Sequence, residues 1–261
     1  MLVDINANIG HWPFRQTDCN SCEALVDRMD KFGVDVSVVS NMNGIFYKDT
    51  QASNEELYNE IKSNKGFDNR FIPFAIINPI YAGWQADFDI CTTEFNMRGI
   101  RLYPLYHDYK LTNSDCIKLV RMARDKNVVV AFTLRMVDKR PRSWMDINEE
   151  WSLSDVIPII KKVPDAKYLI LNISAGFEGL TDEEVTILKN ANVVFDTSGR
   201  NVANLNELIG KFGKEKFAFG SHSPILDYLT GLLRIESLRE TEIDDTTKQL
   251  LRSGNALRLL A

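Results

Sequence analysis

The chain has 261 residues, 44% hydrophobic and 26% charged, with a formal net charge of −5. That composition can bury a sizeable core and argues against disorder, and an acidic balance without a basic stripe argues against a nucleic-acid partner. No apolar run reaches the roughly 18–20 residues that a bilayer crossing needs. The first residues read as a strand from Leu2 and lack the basic-then-apolar layout of a signal peptide. The expectation is therefore a soluble, cytoplasmic protein with no membrane partner. Self-association into a homo-oligomer is compatible with these features and not specified by them.

In chain order, short apolar runs appear at Leu2–Ile9, Val34–Val39, Phe71–Ile77, Gly99–Leu102, Val128–Leu134, Tyr168–Ile173, Val193–Phe195 and Lys216–Phe219. Helical patterns lie between them, at Cys22–Phe32, Glu55–Asn64, Trp84–Phe95, Asp115–Asn127, Leu153–Lys162, Asp182–Asn190 and Asn204–Phe212, and a helical tail runs from Leu229. Ser53 and Thr181, each followed by acidic residues, read as helix N-caps. Strict strand–helix alternation predicts parallel strands joined by crossover helices. Eight such units, with no glycine-rich dinucleotide fingerprint after the first strand, predict a single (β/α)8 TIM barrel over residues 1–261.

The four cysteines, Cys19, Cys22, Cys91 and Cys116, are too few for a disulfide framework in a chain this long. Cys19 and Cys22 form a C-x-x-C pair, which invites a zinc or redox reading. There is no second pair, and Cys22 falls in an amphipathic helix pattern, so ordinary packing is expected.

In this fold reactive groups sit at the carboxyl ends of the strands. Here those ends are polar: Asn6, Asn8 and His11 close the first run, and Arg101 and Tyr103 the fourth. Thr133 and Arg135 close the fifth, Asn172 and Ser174 the sixth, Asp196 and Ser198 the seventh, and His222 the eighth. Residues two apart share a strand face, so several of these can point into one mouth. Loops beginning at strand ends explain isolated Asn and Ser; they do not explain arginines and an aspartate set within apolar runs.

The opening D-I-N-A-N-I-G-H-W-P-F-R, G-I-R-L-Y-P from Gly99, L-I-L-N-I-S-A-G from Leu169, F-G-S-H-S-P from Phe219 and the closing G-N-A-L-R-L-L together resemble the amidohydrolase-related family, whose members include hydrolases and decarboxylases of dicarboxylates and aromatic acids. The resemblance implies a first-strand D-x-H-x-H binding a divalent metal, with further histidines on the fifth and sixth strands and an aspartate on the eighth. This chain departs at each of those places, with Asn6, Asn8, Thr133, Ser174 and His222. Amides and hydroxyls are poor zinc ligands, so the expectation is no usual metal centre and no cofactor.

Of the three histidines, His11, His107 and His222, the last suits proton transfer, and Asp196 from the adjacent strand can orient it. The plainer alternative is a structural histidine. A metal held by His11, His222 and Asp196 requires His11 to turn inward. Arg101 and Arg135 on adjacent strands suit a bidentate carboxylate, unless Asp196 or Asp138 neutralises them internally. Tyr103, Tyr106, His107 and Tyr109 sit at or after the fourth strand, and the charged segment Met136–Trp151, carrying Trp144, reads as a lid. Trp12, Pro13 and Phe14 form a candidate apolar wall. The combined expectation is a barrel that acts on a small anionic molecule by hydrolysis or C–O or C–C cleavage, using acid–base chemistry. The substrate-binding set is Arg101, Tyr103, His107, Arg135, Asn6, Asn8 and His11, and the catalytic pair is His222 and Asp196. The alternatives are an inactive barrel kept as a small-molecule binding module and a mono-metal hydrolase built on His222.

Overall fold

A computed structural model describes residues 1–173, 177–198 and 204–261. Eight strands, β1 (Val3–Ile9), β2 (Val36–Asn41), β3 (Phe71–Ile76), β4 (Gly99–Leu102), β5 (Val129–Thr133), β6 (Tyr168–Leu171), β7 (Val193–Asp196) and β8 (Phe217–Ala218), follow one another around a single parallel sheet. The ring closes between its last and first members. Ile5 N–H donates to the Phe219 carbonyl (2.9 Å), His222 N–H to Asn6 (2.7 Å) and Asn8 N–H to Ser223 (2.8 Å). The molecule is thus the eight-stranded barrel that the alternation predicts, and no helix among the described residues is long and apolar enough to cross a membrane.

Helices α1 (Cys22–Phe32), α2 (Thr50–Ser63), α3 (Trp84–Thr93), α4 (Ser114–Asp125), α5 (Leu153–Lys162), α6 (Asp182–Asn190) and α7 (Leu205–Phe212) form the outer layer. Their ends follow local chemistry. Ser21 caps α1 by accepting from Ala24 N–H, and Gly33 ends it in the left-handed region at φ 68°. Thr181 and Glu184 cap α6 reciprocally, as the sequence suggests. Helix α2 differs from its prediction. It starts at Thr50, where Asp49 accepts from Gln51 N–H (3.0 Å), and Ser53 lies buried inside it with its hydroxyl on the Thr50 carbonyl. The C-terminal tail is likewise three helices, α8 (Tyr228–Glu236), α9 (Asp245–Gln249) and α10 (Asn255–Leu260).

Alternation sorts the strand residues. Val129, Ala131, Leu169, Leu171, Val194 and Ala218 fill the barrel interior, and their neighbours pack outward against the helices. Ala256 and Leu259 of α10 join that interior cluster. Gly99 is required by it, because a Cβ there would lie 2.3 Å from the Phe74 ring. In β1 a register shift between Asp4 and Ala7 changes the phase. Val3 and Ile5 belong to the interior and Ala7 and Ile9 to the outer layer, which turns Asn6 and Asn8 into the mouth.

The seam between β8 and β1 is fastened by Asp4, fully buried, whose carboxylate accepts from Asn6 N–H (3.0 Å), Ser221 N–H (2.9 Å) and the Ser221 hydroxyl (2.5 Å). Asp4→Ala is expected to cost about 2–4 kcal/mol, because it leaves buried donors unpaired. Urea denaturation checks this; a variant within about 0.5 kcal/mol of wild type, the range usual for surface changes, would show that the seam holds without Asp4.

Candidate functional site

At the carboxyl end of the strands the centre of the mouth is taken by Arg101, which is 2% exposed. Its Nε donates to the Thr133 hydroxyl (2.9 Å), Nη1 to Asn8 Oδ1 (2.9 Å) and the Ala7 carbonyl (3.4 Å), and Nη2 to Asn6 Oδ1 (2.6 Å). The Asn6 amide is then oriented from both ends, since its Nδ2 donates to Asp196 Oδ2 (2.6 Å) and to Ser198 Oγ (3.2 Å). Asp196 also accepts from Asn172 N–H (2.8 Å) and from the Ser198 hydroxyl. Burial pushes the Asp196 carboxyl up, opposed by these hydrogen bonds and by Arg101. Gly220 beside it leaves the room needed, because a Cβ would stand 2.8 Å from Asp196 Oδ2.

His222 is fully buried and holds a left-handed backbone at φ 57°, a conformation that costs about 1–3 kcal/mol in a non-glycine residue. Its Nε2 lies 2.7 Å from the Met136 carbonyl and its Nδ1 3.4 Å from Asn6 Oδ1. Only an Nε2–H tautomer suits the shorter contact. Burial lowers its pKa to about 3, and Arg101 and Arg135 push the same way. The imidazole is therefore neutral at physiological pH. The partners expected from sequence are corrected here: Asp196 holds Asn6 instead of the His222 ring, and Asn6 stands between them.

His11 stays outside this group. It is exposed, with Nδ1 3.4 Å from Asn20 Nδ2. The inward turn required for a metal on His11, His222 and Asp196 is not made, and among the described residues no three His, Cys, Asp or Glu side chains group to hold a metal. Ser174 lies outside the described residues. The divalent ion that the resemblance implies does not fit the remaining donors. Asn6, Asn8 and Thr133 give neutral oxygens, and each already accepts from a guanidinium.

Arg135 occupies a different place from Arg101. It lines, with Tyr103, Thr133, Tyr106 and Glu150, a narrow cavity under residues 136–151 with room for about one water molecule. One nitrogen, Nη1, is shared between Asp138 Oδ2 and Glu150 Oε1, both at 3.4 Å; charge-assisted bonds usually lie at about 2.7–2.9 Å. Its Nε is buried with no hydrogen-bond partner among the described residues, and so is the Tyr103 hydroxyl. Arg101 and His222 do not line this cavity, so the two arginines do not form the single clamp that strand alternation suggests. His107 is buried nearby against Tyr103 and Tyr109 and its pKa is lowered to about 4 by burial.

The segment 136–151 carries no helix or strand and is tied down by Tyr106 Oη on Asp146 (3.0 Å) and Trp151 N–H on the Leu134 carbonyl (3.2 Å). Trp144 is 90% exposed on it. Trp12 packs edge-on against Phe14, Phe46 and Tyr106 at 5.3–6.0 Å and is itself buried, so these first-loop rings form a packed cluster. Glu150 was not singled out by sequence. Its signal was weak, an acidic pair just ahead of the α5 cap in a charged stretch.

Since the folded pKa of His222 is depressed below 6.5, the unfolded chain binds the extra proton first as pH falls. Stability from this group is complete above about pH 6.5 and declines below it by up to ~1.4 kcal/mol per pH unit; His107 acts in the same direction down to about 4. Denaturation between pH 7 and 5 should show this loss, and His222→Gln should reduce it by roughly half, leaving the part that His107 carries. A wild-type stability that does not change across that window would contradict the neutral, tied imidazole.

No family sequence model matches the chain, and no curated protein sequence matches it. Solved structures do. A 2,6-dihydroxybenzoate decarboxylase from Rhizobium is similar over 99% of this chain and 98% of its own, with 12% identity and a TM-score of 0.75. A 4-oxalomesaconate hydratase from Rhodopseudomonas palustris is similar over 100% and 95%, with 15% identity and a TM-score of 0.70. An amidohydrolase from Mycobacterium avium subsp. paratuberculosis K-10 is similar over 92% and 74%, with 16% identity and a TM-score of 0.63. At such identities the likeness is one of fold: this chain is built as the (β/α)8 barrel that these structures share.

Proposed function

We propose that this barrel binds a small carboxylate, an aromatic acid being the class that suits it best, between the ends of β4 and β5 and the 136–151 segment. The observation that carries the reading is Arg135: a buried guanidinium whose Nε lacks a partner among the described residues and whose Nη1 is shared loosely by two acidic side chains. A carboxylate accepts two parallel N–H bonds from such a fork. Tyr103, whose hydroxyl is buried without a hydrogen-bond partner among the described residues, lines the same cavity, and Tyr106 beside it supplies an aromatic ring. Neighbours of the same fold include a 2,6-dihydroxybenzoate decarboxylase complexed with 2,6-dihydroxybenzoate.

The cavity is water-sized with the segment in place, so a ring enters only when 136–151 moves and Glu150 leaves Arg135. A groove of about 680 Å³ lined by Pro104, Tyr109, Lys110 and Trp151 lies on the other side of Leu105 and Glu149, residues that also line the cavity. It is the natural approach path.

Binding is favoured over turnover because the acid–base candidate is tied down: His222 is buried, neutral and bonded through Nε2 to Met136. A second reading, an acid–base lyase or hydrolase using His222, draws on its left-handed backbone at the end of β8, since strain of this kind clusters at active sites.

The test is thermal shift and calorimetry with 2,6-dihydroxybenzoate and small dicarboxylates. Wild type should be stabilised, Arg135→Ala should bind at least about tenfold more weakly (~1.4 kcal/mol), and Glu150→Gln should bind more tightly because the internal competitor is removed. The reading fails if none of these anions stabilises wild type, or if Arg135→Ala binds them equally well. Turnover of a bound acid that disappears in His222→Gln would favour the second reading.

A further inference from the structure

We infer that Arg101 is a built-in replacement for the divalent metal that the fold resemblance implies, a cation supplied by the chain itself at the centre of the mouth. Three positions at which that resemblance implies metal ligands, Asn6, Asn8 and Thr133, aim their oxygens at one guanidinium, at 2.6, 2.9 and 2.9 Å. The residue types fit the new centre. An amide or hydroxyl oxygen accepts well from a guanidinium N–H, whereas a divalent transition metal prefers imidazole, thiolate or carboxylate.

The geometry uses the planar fork and not charge alone. Nε serves β5 through Thr133, and Nη1 and Nη2 serve β1 through Asn8 and Asn6. Asn6 then carries the connection to Asp196 at the end of β7, so a single amide joins the guanidinium to a carboxyl group. Four hydrogen bonds take four of the five guanidinium N–H groups. A lysine would keep the charge and lose this fan. A metal ion at the same oxygens would sit directly against a permanent positive charge. Arg101 thus ties β1, β4, β5 and β7 together without an external ion.

The test is independent of carboxylate binding at Arg135. Wild-type protein is incubated with zinc or manganese, desalted and measured by plasma mass spectrometry; no stoichiometric metal is expected. Stoichiometric metal that is lost in the Asn6→Ala/Asn8→Ala variant would overturn the inference. In parallel, Arg101→Ala should melt several degrees lower, and millimolar methylguanidinium should raise its Tm while leaving wild type unchanged. Arg101→Lys should melt well below wild type. If Arg101→Ala does not stay folded, refolding yield with and without methylguanidinium reads the same effect. A variant that methylguanidinium does not help in either assay, or an Arg101→Lys variant as stable as wild type, would show that Arg101 is not the centre of the cluster.

Discussion

A guanidinium buried at the focus of converging strands imposes demands on everything around it. Taking such a charge out of water costs several kcal/mol unless its donors are met and its charge is balanced. Arg101 at 2% exposure is met by Asn6, Asn8, Thr133 and the Ala7 carbonyl, and those residues must present oxygen and not nitrogen toward it. That single requirement fixes the Asn6 amide, whose other end must then find an acceptor, and Asp196 is there. It also needs the register shift in β1, which turns Asn6 and Asn8 inward toward the guanidinium. The same positive charge helps keep His222 neutral, so one side chain sets the protonation of its neighbours as well as their orientation.

The second arginine shows the opposite economy. Arg135 is matched by two carboxylates from a segment without helix or strand, each at 3.4 Å on the same nitrogen. Ion pairs of that geometry are weak relative to close bidentate ones, which is the property that the proposed carboxylate binding uses. One arginine is therefore held by neutral groups in a fan of hydrogen bonds and the other loosely by charges that can leave. The first arrangement suits architecture and the second suits exchange.

The barrel itself was legible because alternation of short apolar runs with amphipathic helices has few other solutions, and α1, α5, α6 and β4 match their predicted bounds. The start of α2 was missed because Ser53 resembles a cap, whereas Asp49 takes the role and Ser53 bonds back to Thr50. The polar strand ends were legible as a set: Asn6, Asn8, Arg101, Thr133 and Asp196 form one connected cluster. Their pairing was not, because a sequence gives the face on which a residue lies and not the reach of its side chain. Arg101 extends across the mouth to β1 instead of standing beside Arg135, and His11 sits one residue past the left-handed Gly10 (φ 86°), exposed and away from the centre.

The resemblance to metal-dependent barrels and the departures from it become consistent once charge is followed in place of residue identity. A mouth that gathers strand ends from around a ring brings many lone pairs together, and lone pairs brought together need a positive centre. A divalent ion is one solution and demands ligands that bear or polarise negative charge. A guanidinium is another and demands neutral acceptors at the three corners of a plane, which is what Asn6, Asn8 and Thr133 provide. Exchanging one for the other changes the ligand residues together while leaving strand order, the closed seam and the interior layers of the barrel in place. On the proposed exchange the fold is kept while the chemistry of its centre changes, and the proposed ligand recognition lies outward of the filled centre, at Arg135 and the segment that covers it.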